Sequence, residues 1–153
     1  MKMLRWIAAA TLACGAAAAQ TQTALPSQLR DVGIDQRLNE PLPLDAVFHD
    51  ETGRTVKLGE YFGKKPVIFA LVYYRCPMLC TLILNGMVRA MRPLSLNPGA
   101  DFEIVTVSFD PAEGPAVAAA KKKEYVARYA RDGAEQHWHF LTGDPVNDGV
   151  FSL

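Results

Sequence analysis

Two cysteines, Cys76 and Cys80, are the residues of this chain whose type and spacing could do chemistry. They follow an apolar run, at a junction where a thiol pair can be both exposed and reactive. Pro77 suits the first position of a helix, because the N–H that it lacks would have no partner there. That start would put Cys76 at the helix N-cap and Cys80 one turn later on the same face. We therefore expect the helix N-terminus, with the nearby cation of Arg75, to lower the pKa of the Cys76 thiol.

A thiol pair at this spacing has two uses. Disulfides need Cα separations of ~4.4–6.8 Å, which one helical turn supplies, so the pair could cycle between dithiol and disulfide. Thiolates also favour Cu(I) and Zn(II), and an added imidazole extends the pair to Cu(II). Structural zinc would need further ligands, and the chain has no second cysteine pair. The alternative for Cys80 is a buried core cysteine, since it begins an apolar helical stripe.

The first 19 residues have the pattern of an export signal peptide. Lys2 and Arg5 precede a short apolar core, and the alanines at 17–19 form a small-residue cleavage site. The apolar stretch is shorter than the ~20 residues that a membrane span requires. A lipoprotein signal with an acylated Cys14 is an alternative, and it would tether the protein to a membrane. We expect an exported protein, in the periplasm or on the periplasmic face of the membrane, where a dithiol is oxidised unless it is reduced or holds a metal.

Composition narrows the remaining classes of function. The 153 residues include 16 Lys+Arg and 16 Asp+Glu, so no excess of positive charge points to nucleic acid. Three cysteines are too few for a small disulfide scaffold. The length fits one domain, which we place at residues 41–153, after a flexible polar lead-in at residues 20–40.

The order of predicted elements is a β-hairpin followed by β-α-β-α-β. The predicted ranges are strands at 44–48, 55–58, 67–74, 102–109 and 138–141, and helices at 80–91 and 112–130. The unbroken apolar run at 67–74 is typical of a strand buried on both faces. Strands alternating with helices predict an α/β fold with a parallel sheet and right-handed crossovers. Active sites of such sheets lie beyond the carboxyl ends of the strands, where Cys76 and Asp110 both fall.

Several other polar residues have ordinary structural explanations. His49 is interpreted as a solvated histidine of the hairpin turn. Asp110 precedes Pro111, a pair typical of a helix start, so an N-cap is preferred over a role beside the thiols. The Lys121–Lys123 run is interpreted as a solvated helix face. Met78 is interpreted as a surface or partner contact.

Three segments resemble the Sco/SenC family of copper chaperones, which have a thioredoxin-like fold. The segments are Tyr74–Cys80, Val105–Pro111 and Trp138–Gly143, within a resemblance that covers roughly residues 41–144. The resemblance implies a copper ion held by two cysteines and a histidine, and Cys76 and Cys80 match the cysteine ligands. It also implies assembly of the copper site of cytochrome c oxidase, thiol-disulfide exchange, and a copper-accepting oxidase subunit or another copper or thiol protein as partner.

The chain departs from the family in two places. The family's histidine ligand comes from a loop well after the third core strand, and no histidine follows His139 here. His137 and His139 lie before and in that strand, so neither is assigned as the copper ligand. We expect an incomplete domain that lacks the closing strands and has an exposed sheet edge. Met78 and Thr81 stand where family members often carry Asp and Pro. We expect these two differences to affect contacts with a partner more than metal binding.

The function predicted from these features is an exported copper-binding chaperone or thiol protein of the Sco type. It would deliver copper or reducing equivalents to the copper site of cytochrome c oxidase. One alternative is an exported thiol-disulfide oxidoreductase with no metal role, in which Cys76 and Cys80 are the catalytic redox pair. The other alternative is a truncated remnant without function.

Overall fold

The computed structural model describes residues 38–143. The signal peptide and Cys14 lie outside the described residues, as do most of the lead-in and residues 144–153. The elements are β1 (Val47–His49), β2 (Thr55–Lys57), a short 3-10 helix (Leu58–Tyr61), β3 (Val67–Val72), α1 (Leu79–Met91), β4 (Glu103–Ser108), α2 (Pro115–Tyr129), α3 (Ala134–His137) and β5 (Trp138–Thr142). In the described part of the chain, no helix is long and apolar enough to cross a membrane.

The strands form one mixed sheet in the order β2-β1-β5-β4-β3. The hairpin strands β1 and β2 are antiparallel, and β1 joins β5 antiparallel through His49 and Thr142. The three core strands β3, β4 and β5 are parallel, as crossovers through helices require. The predicted α/β architecture, a hairpin followed by β-α-β-α-β, is confirmed.

Two apolar layers enclose the sheet. On one face α1 and α2 pack over Trp138, Phe140 and Ile104, with Tyr125 and Tyr129 of α2 buried. On the other face the hairpin covers alternate residues of the central strands, including Val105, Val107 and Leu141. The central strand β4 is therefore covered on both sides.

The prediction that the apolar run at 67–74 is a strand buried on both faces is wrong. β3 ends at Val72, and it lies at the edge of the described sheet with only β4 beside it. Most of its side chains are half-buried, and Leu71 is 39% exposed. An apolar run reports the type of side chain but not how many neighbours cover it, which pairing of the strands decides.

The region after β4 also differs from its prediction. Helix α2 begins at Pro115 behind an N-cap at Gly114, so Asp110 does not cap a helix that starts at Pro111. Asp110 instead accepts the N–H of Ala112 at 2.9 Å and closes a local turn. In the intervening loop, the Glu113 side chain accepts the backbone N–H groups of Tyr74 and Arg75.

Two smaller interpretations change as well. His49 lies in β1 and is half-buried, rather than in a solvated turn. Lys122 is not on a solvated helix face, because its ammonium pairs with Glu51 at 2.5 Å and the side chain is largely buried. Both changes come from packing between the hairpin and the following layers, which local sequence does not report.

Candidate thiol and metal site

The two cysteines lie where β3 gives way to α1, at the carboxyl end of the parallel strands. The helix N-cap is Met78, so the predicted helix start with Cys76 at the N-cap and Pro77 at the first position is wrong. Cys76 belongs to a turn in which its N–H donates to the Tyr73 carbonyl at 3.4 Å. This turn occupies the residues that an earlier helix start would need.

Both cysteines are free thiols, and their side chains are mostly covered. Cys76 is 8% exposed and Cys80 is 6% exposed, so the expectation of an exposed pair is corrected. Each thiol affects the ionisation of the other, which lowers the pKa of Cys76 and raises the pKa of Cys80. Cys80 also lies in the core cluster, so it is both a core residue and a member of the thiol pair.

The surroundings make the two thiols chemically different. The backbone N–H groups of Cys80 and Met78 donate to the Cys76 sulfur, the Tyr73 hydroxyl adds a further hydrogen bond, and together they lower the pKa of Cys76 to about 7. Donors at a helix N-terminus stabilise the thiolate, as the sequence reasoning expected, although the strongest contributions are N–H groups rather than Arg75. Burial raises the pKa of Cys80, whose sulfur accepts the Tyr73 N–H at 3.4 Å. Cys76 is thus the more nucleophilic thiol.

Glu113 is a site residue that the sequence reasoning missed. Its carboxylate is buried behind the cysteine turn and accepts the N–H groups of Tyr74 and Arg75 at 2.6 and 2.7 Å. The Ser108 hydroxyl donates to the same carboxylate at 2.6 Å. No local signal marks Glu113, because its partners on the cysteine turn are 38 and 39 residues away in the chain.

The donor set fits a soft metal only in part. Two adjacent thiols are suitable ligands for Cu(I), which thiolates favour. Between residues 38 and 143, however, no group of three or more His, Cys, Asp or Glu side chains is arranged to hold a metal ion. The structure therefore brings the two cysteines together, and its described part places no third candidate ligand with them.

The two histidines near the third core strand are far from the thiols. His137 precedes β5, and His139 lies opposite Val105 near the amino ends of the parallel strands. Glu103 binds both of them, at 3.0 Å from His137 Nδ1 and 3.5 Å from His139 Nε2. The cysteines lie beyond the other end of strands that are about 20 Å long at ~3.3 Å per residue. Neither histidine is assigned as a ligand, in agreement with the sequence reasoning.

Exposed apolar side chains lie on the segments that carry and adjoin the thiol pair. We call them the thiol rim, which comprises the exposed side chains of Tyr73, Met78, Leu79, Leu82, Ile83 and Phe109. The Tyr73 and Phe109 rings meet edge to face, with centroids 5.1 Å apart. No Asp or Glu occurs between Glu60 and Asp101, so the charges that this stretch carries are positive. The rim is therefore apolar, with basic residues in the segment of the cysteines and one acidic residue, Asp110, next to Phe109.

Comparison with solved structures shows which proteins share this fold. A candidate electron transfer protein from Aquifex aeolicus VF5 is 27% identical with a TM-score of 0.58, over 72% of this chain and 60% of that one. The apo Sco1 protein from Thermus thermophilus is 26% identical with a TM-score of 0.53, over 72% of this chain and 58% of that one. Arabidopsis thaliana ScoI, solved with copper bound, is 23% identical with a TM-score of 0.51, over 65% of this chain and 56% of that one.

These likenesses confirm the predicted thioredoxin-like fold of the Sco type, and this chain spans less than two-thirds of the length of each of the three proteins. No curated protein matches the chain. The family model described as SCO1/SenC matches residues 40–146, which is most of the sequence. The chain therefore belongs to the SCO1/SenC family.

Proposed function

We propose that this protein is an exported copper-handling thiol protein. It binds Cu(I) through Cys76 and Cys80 and delivers copper or reducing equivalents for assembly of the cytochrome c oxidase copper site. The observation that carries the proposal is the pair of buried free thiols, Cys76 and Cys80, at the β3–α1 junction of an SCO1/SenC chain. Export to the periplasm rests on the signal pattern of residues 1–19.

The two thiols have complementary roles in metal capture. Cys76 is ionised in an appreciable fraction of molecules at neutral pH, because its pKa is about 7. Cys76 can therefore supply the first thiolate ligand, because little free energy is needed to remove its proton at neutral pH. Cys80, whose pKa is raised by burial, loses its proton when the cation arrives, since metal binding releases protons from thiol ligands. Copper is the cargo in this proposal and not a permanent part of the fold.

A Cu(I) competition titration tests the proposal. The reduced protein, kept without oxygen, competes with a coloured Cu(I) chelator, and we expect about one Cu(I) per chain. Cys76→Ser and Cys80→Ser should each lower the affinity by more than the 10–100-fold that is typical of losing an outer-shell contact. An affinity for Cu(I) that is unchanged in Cys76→Ser would sink the copper assignment.

Thiol-disulfide exchange without metal is the second candidate, and the lowered pKa of Cys76 favours it. The Cys76 thiolate would attack a substrate disulfide to form a mixed disulfide and release one substrate thiolate. Cys80 would then displace the second substrate thiolate, which leaves the substrate reduced and the Cys76–Cys80 pair oxidised. Catalytic reduction of a protein disulfide that persists with a strong copper chelator present, and stops in Cys80→Ser, would support this candidate instead.

The thiol rim supports a protein as the partner of the site. A partner must bring its own metal ligands or disulfide next to sulfurs that are less than one-tenth exposed, so it must cover the surrounding surface. An apolar patch around the thiols fits a partner that is apolar at the contact. The copper-accepting domain of the oxidase is the partner that we propose.

Stopped-flow copper transfer to that domain tests the partner assignment. Leu79→Ser with Leu82→Ser should slow transfer about tenfold without changing Cu(I) affinity, because two exposed rim side chains lose their contacts. Leu94→Ser is the matched control, since Leu94 is an exposed leucine beyond the end of α1. Equal transfer rates in the double variant and the control would exclude the rim as the docking surface.

A further inference from the structure

We infer that Glu113 is the positioning residue of the thiol pair: its buried carboxylate fixes the backbone of the cysteine turn and thereby the approach of the Cys76 and Cys80 sulfurs. The inference deepens the proposed function, because it concerns the same two thiols. It also applies if the pair works only in disulfide exchange.

The hydrogen bonds of Glu113, which we call the clamp, join the loop after β4 to the turn after β3. The residue is 2% exposed, and its two oxygens divide the backbone donors between them. Oε2 accepts the Tyr74 N–H and Oε1 accepts the Arg75 N–H, at 2.6 and 2.7 Å. A buried carboxylate is costly unless hydrogen bonds satisfy it, and these donors together with the Ser108 hydroxyl do so.

The clamp acts on the segment that holds both sulfurs. Arg75 directly precedes Cys76, so a fixed Arg75 N–H sets the direction in which the chain enters the first cysteine. On the other side of the clamp, the Tyr73 N–H donates to the Cys80 sulfur at 3.4 Å. The Thr81 hydroxyl donates to the Cys76 carbonyl at 2.9 Å and ties the turn to α1. Glu113 is the link that fastens this turn to the β4–α2 loop.

A carboxylate is suited to this role and an amide of the same size is not. Two backbone N–H groups need two acceptor atoms, and a carboxylate provides one oxygen to each. Glu113→Gln would place an NH2 group against one of the N–H donors, so one contact would become repulsive. The substitution therefore releases the turn while it leaves the volume of the side chain unchanged.

Loss of the Glu113 charge alone would speed disulfide closure, whereas loss of its positioning contacts should slow it. The negative charge of Glu113 disfavours further negative charge on the neighbouring sulfurs. Removing that charge, with the turn still in place, would make thiolates easier to form. Disulfide closure would then be faster and Cu(I) binding tighter. A slower closure in Glu113→Gln can therefore be assigned to lost positioning and not to lost charge.

A copper-free closure assay on the reduced full chain tests the inference. One thiol attacks neutral 2,2′-dithiodipyridine, forms a mixed disulfide and releases one pyridinethione. The other thiol then displaces a second pyridinethione and closes the Cys76–Cys80 disulfide, so two are released for each chain. We expect the second release to be about tenfold slower in Glu113→Gln, because small misplacements of reacting groups cost large factors in rate. A rate equal to or faster than wild type overturns the inference.

Two further variants keep the result specific. Asp50→Asn is the matched control, because Asp50 is also a buried carboxylate that accepts two backbone N–H groups and a hydroxyl, in the β1–β2 turn. It should leave the second release unchanged, and equal slowing in both variants overturns the inference. Glu113→Asp retains two acceptors and should restore part of the rate. If Glu113→Gln does not fold, wild-type closure in Glu113→Asp overturns the inference.

Cu(I) titration of the same proteins separates this inference from the proposed function. If wild type binds no Cu(I) while Glu113→Gln still slows closure, copper handling fails and the positioning role stands. If wild type binds Cu(I) and closure in Glu113→Gln is unchanged, copper handling stands and the positioning role fails.

Discussion

Cys76 and Cys80 are the same residue type, and their difference comes entirely from neighbouring atoms. The N–H groups of Cys80 and Met78 and the hydroxyl of Tyr73 donate to Cys76, while burial is the main influence on Cys80. The first thiol has a lowered pKa and the second a raised one. This asymmetry suits a pair in which the Cys76 sulfur attacks a substrate disulfide and the Cys80 sulfur then resolves the mixed disulfide.

The pKa of Cys76 predicts how its reactivity depends on pH. Because the thiolate is the nucleophile, the rate of alkylation by iodoacetamide should be half-maximal near pH 7 and not near the ordinary value of 9.0. The lowered pKa also contributes stability to the folded state. That contribution is complete above the unfolded value of 9.0 and is lost as the pH falls through about 7. Alkylation of Cys76 from pH 5 to 10, followed by mass spectrometry, measures the pH at which the rate is half-maximal. A midpoint near 9.0 would contradict the lowered pKa of Cys76.

Tyr73→Phe tests one of the donors separately. It removes the hydroxyl that bonds Cys76 while it keeps the ring that contacts Phe109. The alkylation midpoint of Cys76 should move to higher pH, and the rate at pH 7 should fall severalfold. Tyr61→Phe is the control, because Tyr61 packs against His139 near the amino ends of the parallel strands. The same shift in both variants would exclude a specific role for Tyr73.

At the scale of elements, two glycines determine how the short helix α3 meets the start of β5. Gly99 and Gly133 both have positive φ angles, of 81° and 82°. A Cβ atom at Gly99 would collide with the His137 ring, and one at Gly133 would collide with the Pro98 carbonyl oxygen. Gly53, in the β1–β2 turn, has a similar φ of 86° but open space around it. The three positions therefore separate backbone strain from steric collision.

We expect Gly53→Ala to lower the free energy of unfolding by about 1 kcal/mol, the cost of a left-handed conformation for a residue with a Cβ. Gly99→Ala should lower it by about 2–4 kcal/mol, because the collision with His137 adds to the same strain. Urea denaturation of the three proteins measures the difference. Equal losses in the two variants would mean that the His137 ring moves aside at no cost.

At the scale of the whole molecule, the parallel sheet separates two clusters of chemical groups. The thiols lie beyond the carboxyl ends of the strands, and His137, His139 and Glu103 lie together at the amino ends. Burial lowers the pKa of His139, which favours its neutral form. A neutral imidazole is a good metal ligand, but the direction of the strands keeps this one away from the sulfurs.

His139→Ala should therefore leave the Cu(I) affinity within about twofold of wild type, whereas Cys80→Ser should lose it. A ligand that binds the folded state stabilises it by an amount that grows with the logarithm of its affinity, so Cu(I) should raise the unfolding temperature of His139→Ala as it does that of wild type. Cu(I) titration with thermal unfolding measures both effects. A loss greater than tenfold in His139→Ala would show that the histidine reaches the copper.

The errors of the sequence-based prediction have a common origin. The range of α1 was predicted to within one residue, because helical periodicity is a local property. The N-cap at Met78, the late start of α2 and the edge position of β3 were missed. Each of these depends on contacts between segments that are distant in the chain.

The sequence by itself determined the thiol pair, the alternation of strands and helices, and the family, because spacing and periodicity are carried by neighbouring residues. Only the tertiary structure decided that Glu113 clamps the cysteine turn, that the thiols have unequal pKa values, and that the histidines lie at the opposite end of the sheet. The Glu113–Tyr74 contact joins residues 39 apart, and it exists only because parallel pairing brings the ends of β3 and β4 together.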